Sequence, residues 1–94
     1  PADASAGSGL IVGEALPNPS IGVASIAVML PHAANLQARL FDVLGRQIGV
    51  VADGAYSAGR HSITFDCSGL ATGTYYCWVR VGGVRLMRTV VVGR

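Results

Sequence analysis

The chain contains no lysine and only one glutamate, and charge of either sign is scarce. Charged residues make up 13% of its 94 residues, whereas hydrophobic residues make up 51%. A disordered chain needs the opposite balance, so this composition predicts a folded body. All seven basic residues are arginines, and they are scattered without a basic run. Because nucleic-acid binding needs clustered positive charge, the sequence argues against a nucleic-acid partner.

Long apolar runs and export signals are also absent. No apolar run approaches the length that a helix needs to cross a bilayer, so we expect no transmembrane segment. The start of the chain lacks the basic and apolar regions of a signal peptide. It begins with Pro1 rather than Met, and residues 1–9 are mostly small or polar. We therefore expect residues 1–9 to be an interdomain linker behind a cargo domain, and residues 10–94 to form one domain.

What the chain does contain is a series of short segments in which apolar and polar residues alternate. Glycine, proline and asparagine separate these segments, and none has a credible helical period. The predicted strands cover residues 10–16, 21–30, 36–40, 47–52, 61–66, 73–81 and 85–92. The predicted turns and corners are at 17–19, 44–46, Asp53-Gly54, 57–59 and Gly82-Gly83. This pattern predicts an all-β protein, an Ig-like antiparallel β-sandwich of about seven strands.

The sixth segment has the strongest pattern of aromatic and β-branched residues. Tyr75, Cys77 and Val79 share one side and are expected to face the core, while Tyr76 and Trp78 lie on the other side. The latter pair either forms an exposed aromatic face, which could stack on sugar rings or bind a partner protein, or packs beneath a loop or the opposite sheet. Packing is the favoured interpretation, because only one Trp and one Tyr are involved.

The two cysteines are expected to face inward at the same end of the sandwich. Cys67 continues the inward side of Ile63 and Phe65, and Cys77 lies on the inward side of the sixth strand. A disulfide between Cys67 and Cys77 fits this placement, particularly in an exported protein. Two buried free thiols fit it equally well.

The sequence offers no convergent set of catalytic or metal-binding residues. His32 and His61 share no metal-like spacing with each other or with the cysteines, and solvated or capping roles are expected. Asp42, Asp53 and Asp66 lie before or within predicted turns, where bonds to the backbone are expected rather than calcium binding. We therefore predict that the domain is not an enzyme and uses no cofactor or metal.

The order of the landmarks along the chain is more specific than any one of them. They are Asn18-Pro19, Leu30-Pro31, residues 40–46, Gly54, Ala58-Gly59-Arg60-His61, Phe65-Asp66, residues 70–76 and residues 88–92. This series resembles the C-terminal sorting domain of type IX secretion substrates, the type A signal of the Por secretion system in Bacteroidetes. In that family an N-P opening, an L-P, a D-x-x-G-R turn, an A-G-x-H and an L-x-x-G-x-Y recur in this order. The resemblance covers about residues 16–94.

The resemblance implies a delivery role. The cargo would enter the periplasm, the folded domain would be recognised by the outer-membrane translocon, and a sortase-like protease would cut the linker. The cargo would then reach the cell surface or the medium. The residues implied in translocon recognition are Asp42, Gly45, Arg46, Gly73, Tyr75, Met87, Arg88, Val90 and Val92. The residues implied at the cleavage site are Ala6, Gly7, Ser8 and Gly9.

Most of these landmarks also serve the fold, and this keeps a second interpretation open. Tyr75 resembles a tyrosine corner, in which the phenol bonds to backbone a few residues upstream. Fibronectin-like modules share such a corner, so the alternative is an accessory module of a secreted glycosidase that binds polysaccharide or spaces domains. For the sorting domain, we expect recognition through edge strands or through an exposed face with Arg39, Arg80 and Arg88.

Overall fold

The computed structural model describes residues 9–93, and this part of the chain consists of strands joined by turns. The seven strands are β1 (Ile11–Leu16), β2 (Val23–Leu30), β3 (Ala34–Asp42), β4 (Gln47–Tyr56), β5 (Gly59–Asp66), β6 (Gly73–Val81) and β7 (Val84–Val92). Residues 9–93 include no helix that could cross a membrane. The predicted all-β class with seven strands is confirmed.

The strands form two antiparallel sheets. One has the order β1-β2-β5 and the other the order β4-β3-β6-β7. In an Ig-like sandwich, strands A, B and E share one sheet while C, F and G share the other. The first, second and fifth strands here are separated from the third, sixth and seventh in the same way, so the predicted sandwich is confirmed.

The core lies between the two sheets and is filled by every second residue of their strands. The buried positions include Ile26, Val28, Leu30, Leu36, Ala38, Leu40, Ile63, Tyr75, Cys77, Val79, Val90 and Val92. Because successive side chains of a strand point to opposite faces, each of these strands has one face in the core and one face outside.

The fourth strand is longer than the sequence predicts. It continues through Asp53-Gly54, where Asp53 pairs with Gln37 and Gly54 pairs with Leu36. The predicted turn at this dipeptide is wrong, because pairing with β3 along the strand outweighs the local turn preference of Asp-Gly. The chain reverses instead at Ser57 and Ala58, between β4 and β5.

Residues 17–22, between β1 and β2, link the three-stranded sheet to the last residues of β7 in the four-stranded sheet. The buried Ser20 forms a parallel bridge with Val92. The Ser20 amide donates to the Val91 carbonyl at 2.7 Å, and the Gly93 amide donates to the Ser20 carbonyl at 2.9 Å. A Cβ at Gly93 would lie 3.0 Å from the Cβ of Pro19, so only glycine allows this approach without a shift. The end of β7 in the four-stranded sheet is therefore bonded to the segment between β1 and β2 of the three-stranded sheet.

Candidate recognition site

Asp42, the last residue of β3, organises the turn that leads into β4. Its Oδ1 accepts from the amides of Leu44 and Arg46, each at 2.9 Å, and its Oδ2 accepts from Arg46 Nε at 2.8 Å. The Gly45 amide donates to the Asp42 carbonyl at 3.0 Å, with Gly45 at a φ of +84° that favours glycine. The predicted role of Asp42 in holding a turn is confirmed.

These bonds also fix the charge of Asp42. The amide of Arg46, its side chain and the amide of Leu44 all favour the carboxylate and hold the pKa of Asp42 below its ordinary value, although desolvation opposes them. The carboxylate is therefore ionised at neutral pH, and the turn is closed by charge-assisted bonds.

The same turn holds two apolar side chains in water. Val43 is 64% exposed and Leu44 is 76% exposed, although both follow directly from the buried Asp42. An apolar pair at the end of a rigid turn contributes nothing to the core. It presents a small, preformed surface that another protein could cover.

The second predicted turn lies next to the first. Tyr75 is buried and its hydroxyl donates to the Ala71 carbonyl at 2.6 Å, which confirms the tyrosine corner. Asp42 and Tyr75 are register partners in β3 and β6. The two turns consequently share an open groove of about 320 Å³. We call this the tip site; its lining residues are Asp42, Val43, Leu44, Arg46, Ile48, Thr72, Gly73, Thr74 and Tyr75.

The closing strand divides its predicted recognition residues between its two faces. Val90 and Val92 are buried in the core, whereas Met87 is 43% exposed on the outer face. Neither valine offers a surface to a partner while the domain is folded. Within β7, the outer face is therefore the part that is open to contact.

On the predicted arginine face, Arg80 is exposed and Arg39 is half-buried, but Arg88 is not on this face, so its predicted placement is wrong. Arg88 lies on the inward side, where its Nε donates to the Gly13 carbonyl at 3.1 Å and its Nη2 to the Val12 carbonyl at 2.8 Å. Both acceptors belong to β1, so Arg88 links the two sheets. The parity of residues 88, 90 and 92 was the sequence signal for this orientation.

The face opposite the core of β6 carries Tyr76 and Trp78, both half-buried. The guanidinium of Arg85 lies 4.9 Å from the centre of the Trp78 ring, within range of a cation–π contact. Neither a loop nor the opposite sheet supplies this contact, because Arg85 is on the neighbouring strand β7. Arg85 was not among the residues predicted from the sequence, although its parity with the exposed Met87 was a signal for the outer face.

Cys67 and Cys77 are both buried and both are free thiols. Of the two arrangements that the sequence left open, the structure therefore contains the one without a disulfide. Burial raises the pKa of Cys77 to about 11. Burial, with a smaller contribution from the nearby Asp66 carboxylate, raises the pKa of Cys67. Both side chains are therefore neutral and unreactive at physiological pH.

Of the remaining polar candidates, His61 and Asp66 have structural partners, whereas His32 and Asp53 are exposed. His61 Nε2 is 2.7 Å from the Ser57 carbonyl, and its ring packs edge-on against Tyr56 with 5.1 Å between centroids. Asp66 Oδ1 accepts from the Ser68 amide at 2.9 Å. Within residues 9–93, no group of three or more His, Cys, Asp or Glu residues could hold a metal ion.

The structure describes one of the four residues predicted at the cleavage site. Ala6, Gly7 and Ser8 lie outside the described residues 9–93, and Gly9 is exposed at their start.

Comparison with known proteins identifies the family. No curated protein and no solved structure matches the chain. The model of one family, described as the secretion system C-terminal sorting domain, matches residues 14–93. These residues contain both turns of the tip site, the tyrosine corner and the closing strand, and the matched family is the one that the ordered landmarks resemble. The chain belongs to the family of type IX secretion system C-terminal sorting domains.

Proposed function

We propose that this chain is a non-enzymatic sorting domain whose tip site is bound by the type IX outer-membrane translocon. Membership of the family implies export through the periplasm to the cell surface or the medium. We further propose that residues 10–94 act as the signal for a cargo domain joined through residues 1–9. A sortase-like protease would cut that linker between Ala6 and Gly9.

The observation that carries the proposal is the exposed pair Val43 and Leu44 on a turn that the Asp42 carboxylate holds rigid. A partner that covers these side chains gains the free energy of removing apolar surface from water, roughly 25 cal/mol per Å². Because the turn is already ordered, little conformational entropy is lost on binding. The groove beside the turn adds shape to the same surface.

Four of the predicted recognition residues act indirectly in this proposal: Gly45, Arg46, Gly73 and Tyr75. They shape the two turns, while the exposed apolar pair makes the contact. In the same way, Val90 and Val92 act by keeping β7 in the fold, and Arg88 acts by joining β7 to β1. Deleting β7 would therefore abolish sorting through loss of the folded domain.

The polysaccharide-binding alternative receives no comparable support. A sugar ring would have to stack on Trp78, and the Arg85 guanidinium already lies over that ring at 4.9 Å. We therefore put forward no second function.

The test is a reporter, carrying an N-terminal export signal, fused ahead of the chain in a type IX-competent host. We expect the wild-type fusion in the medium or on the cell surface, and the Leu44→Ser fusion to remain in the periplasm. Ile11→Ser is the matched control, because Ile11 is 59% exposed and pairs with Met29, away from the tip site. It should be exported like the wild type.

Two results would count against the proposal in different ways. Retention of the wild-type fusion in the periplasm would contradict the sorting role of this chain. Normal export of Leu44→Ser, with export still dependent on the domain, would show that the translocon binds another surface. Urea unfolding of each purified domain checks that Leu44→Ser remains folded.

A further inference from the structure

Three arginines lie close together on the outer face of the four-stranded sheet. Arg80 of β6 and Arg85 of β7 are direct cross-strand partners, and Arg39 of β3 is the partner of Trp78, two residues before Arg80. Like charges directly opposite each other destabilise a sheet. The pairing of Arg80 with Arg85 is therefore electrostatically unfavourable, and a bound anion would reduce this repulsion.

Within residues 9–93, no carboxylate pairs with these three arginines. Among residues 9–93 the ion pair present is that of Arg46 with Asp42, at the tip site. The acidic residue on the outer side of the same sheet is Asp53 of β4, which lies opposite Gln37 and makes no ion pair there. The three guanidinium groups thus form a positive surface without a carboxylate of their own.

Apolar and aromatic side chains lie between the arginines. Residues Gln37, Arg39, Phe41, Trp78, Arg80 and Arg85 line an open groove of about 160 Å³. The exposed Met87 is the register partner of Trp78. Arginine, aromatic residues and methionine are the types enriched in the cores of protein–protein interfaces. We call this surface, made of Arg39, Phe41, Tyr76, Trp78, Arg80, Arg85 and Met87, the arginine–aromatic face.

We propose that the arginine–aromatic face binds an acidic segment of a partner protein. Carboxylates of that segment pair with Arg39, Arg80 and Arg85, since a guanidinium matches a carboxylate with two parallel hydrogen bonds. An apolar side chain of the same segment occupies the groove beside Trp78. The face is distinct from the tip site, so this inference holds whether or not the translocon binds there.

A protein partner fits the composition better than a nucleic acid or a membrane surface. Polyanions are bound by many basic residues that follow the phosphates, and this face has three. Arginine in place of lysine, with aromatic residues between, favours directional pairing with carboxylates over a diffuse attraction.

Trp78 allows a direct test, because it is the single tryptophan of the chain. The probe is a short synthetic peptide that carries several glutamates and one leucine, with a matched peptide in which glutamine replaces glutamate. Titration of the 94-residue chain with the glutamate peptide at low ionic strength should change Trp78 fluorescence to saturation. Added salt should weaken the binding, because it screens exposed charges.

Substitutions of single arginines test whether the peptide binds at the arginine–aromatic face. Arg80→Gln and Arg39→Gln should each raise the Kd of the glutamate peptide about tenfold, as expected for the loss of a charge-assisted pair. Arg60→Gln removes the same charge from an exposed position on β5, in the other sheet, and should leave the Kd unchanged. Leu44→Ser at the tip site should also leave it unchanged.

Three results would overturn the inference. Equal affinity of the glutamine and glutamate peptides would show that the charge of the peptide is not recognised. Arg60→Gln could weaken binding as much as Arg80→Gln, which would indicate a non-specific effect of net charge. Inorganic tripolyphosphate or phosphatidylglycerol vesicles could bind more tightly than the peptide, which would make this a phosphate-binding face.

Discussion

Arg85 and Arg88 are carried by the same strand and have different partners. Arg88 points inward and donates to two carbonyl oxygens of β1, whereas Arg85 points outward and lies over Trp78. On the inner face of the four-stranded sheet, Arg88 bonds to the other sheet and helps to close the sandwich. On the outer face, Arg85 contacts Trp78 of its own sheet. Identical residue types therefore have opposite roles according to the face on which they lie.

The same contrast holds for two further pairs of residues in this sheet. Tyr75 is buried and bonds to the Ala71 carbonyl, while its neighbour Tyr76 lies on the outer face. Asp42 is buried and closes a turn, while Asp53 is exposed on the edge strand β4. Each inner residue can be changed alongside its outer counterpart, so the contrast can be tested with matched substitutions.

The largest effect is expected from Arg88→Met. The substitution leaves the carbonyls of Val12 and Gly13 without their charged donor, so we expect a loss of about 2 kcal/mol in the free energy of unfolding. Arg85→Met removes the same charge from the outer face. It should change stability by less than about 0.5 kcal/mol, because relief of the repulsion from Arg80 offsets the lost cation–π contact.

Urea unfolding of both variants measures this difference. Equal stability of Arg88→Met and Arg85→Met would mean that the bonds to β1 do not hold the sheets together.

A smaller effect is expected from Tyr75→Phe. This variant keeps the buried ring and removes the hydroxyl that donates to Ala71 at 2.6 Å, so the loss should be about 1 kcal/mol. Tyr76→Phe removes a hydroxyl from the outer face and should stay within about 0.5 kcal/mol of the wild type. The midpoints of urea unfolding give both values, and a similar loss in Tyr76→Phe would contradict the contrast between the faces.

The smallest effect on stability is expected from Asp42, and only at acidic pH. Because the pKa of Asp42 is lowered in the folded state, its contribution to stability is complete above the ordinary value of 3.8 and is lost as the pH falls through the folded pKa. Unfolding followed as a function of pH should show this decline in the wild type. In Asp42→Asn, stability should decline less steeply as the pH falls. The decline that remains includes the contribution of Asp66, whose pKa is also lowered.

Asp53→Asn is the control for the acid experiment, because Asp53 makes no ion pair within residues 9–93. Its unfolding profile should keep the full decline of the wild type. A profile as shallow as that of Asp42→Asn would show that acid stability does not depend on the turn at the tip site.

Much of the fold was predictable because it follows from local alternation. The period of two placed Leu36, Ala38 and Leu40 in the core, and it should also have placed the half-buried Arg88 on the inward side of its strand. The tyrosine corner was predictable from the spacing of Gly73 and Tyr75. The Asp53-Gly54 turn was not predictable correctly, because its outcome depends on pairing with β3, and a dipeptide contains no information about its partner strand.

The sequence by itself determined the all-β class, the inner side of most strands and, through the order of its landmarks, the family. These properties depend on residues that are close in the chain or on their order along it. Tertiary structure alone decided that Arg88 meets Gly13, 75 residues earlier, and that Asp42 and Tyr75 share one groove. It also brought Arg39, Arg80 and Arg85 from three strands onto one face. Such contacts arise from pairing between distant strands, whose register is set by the packing of the whole core.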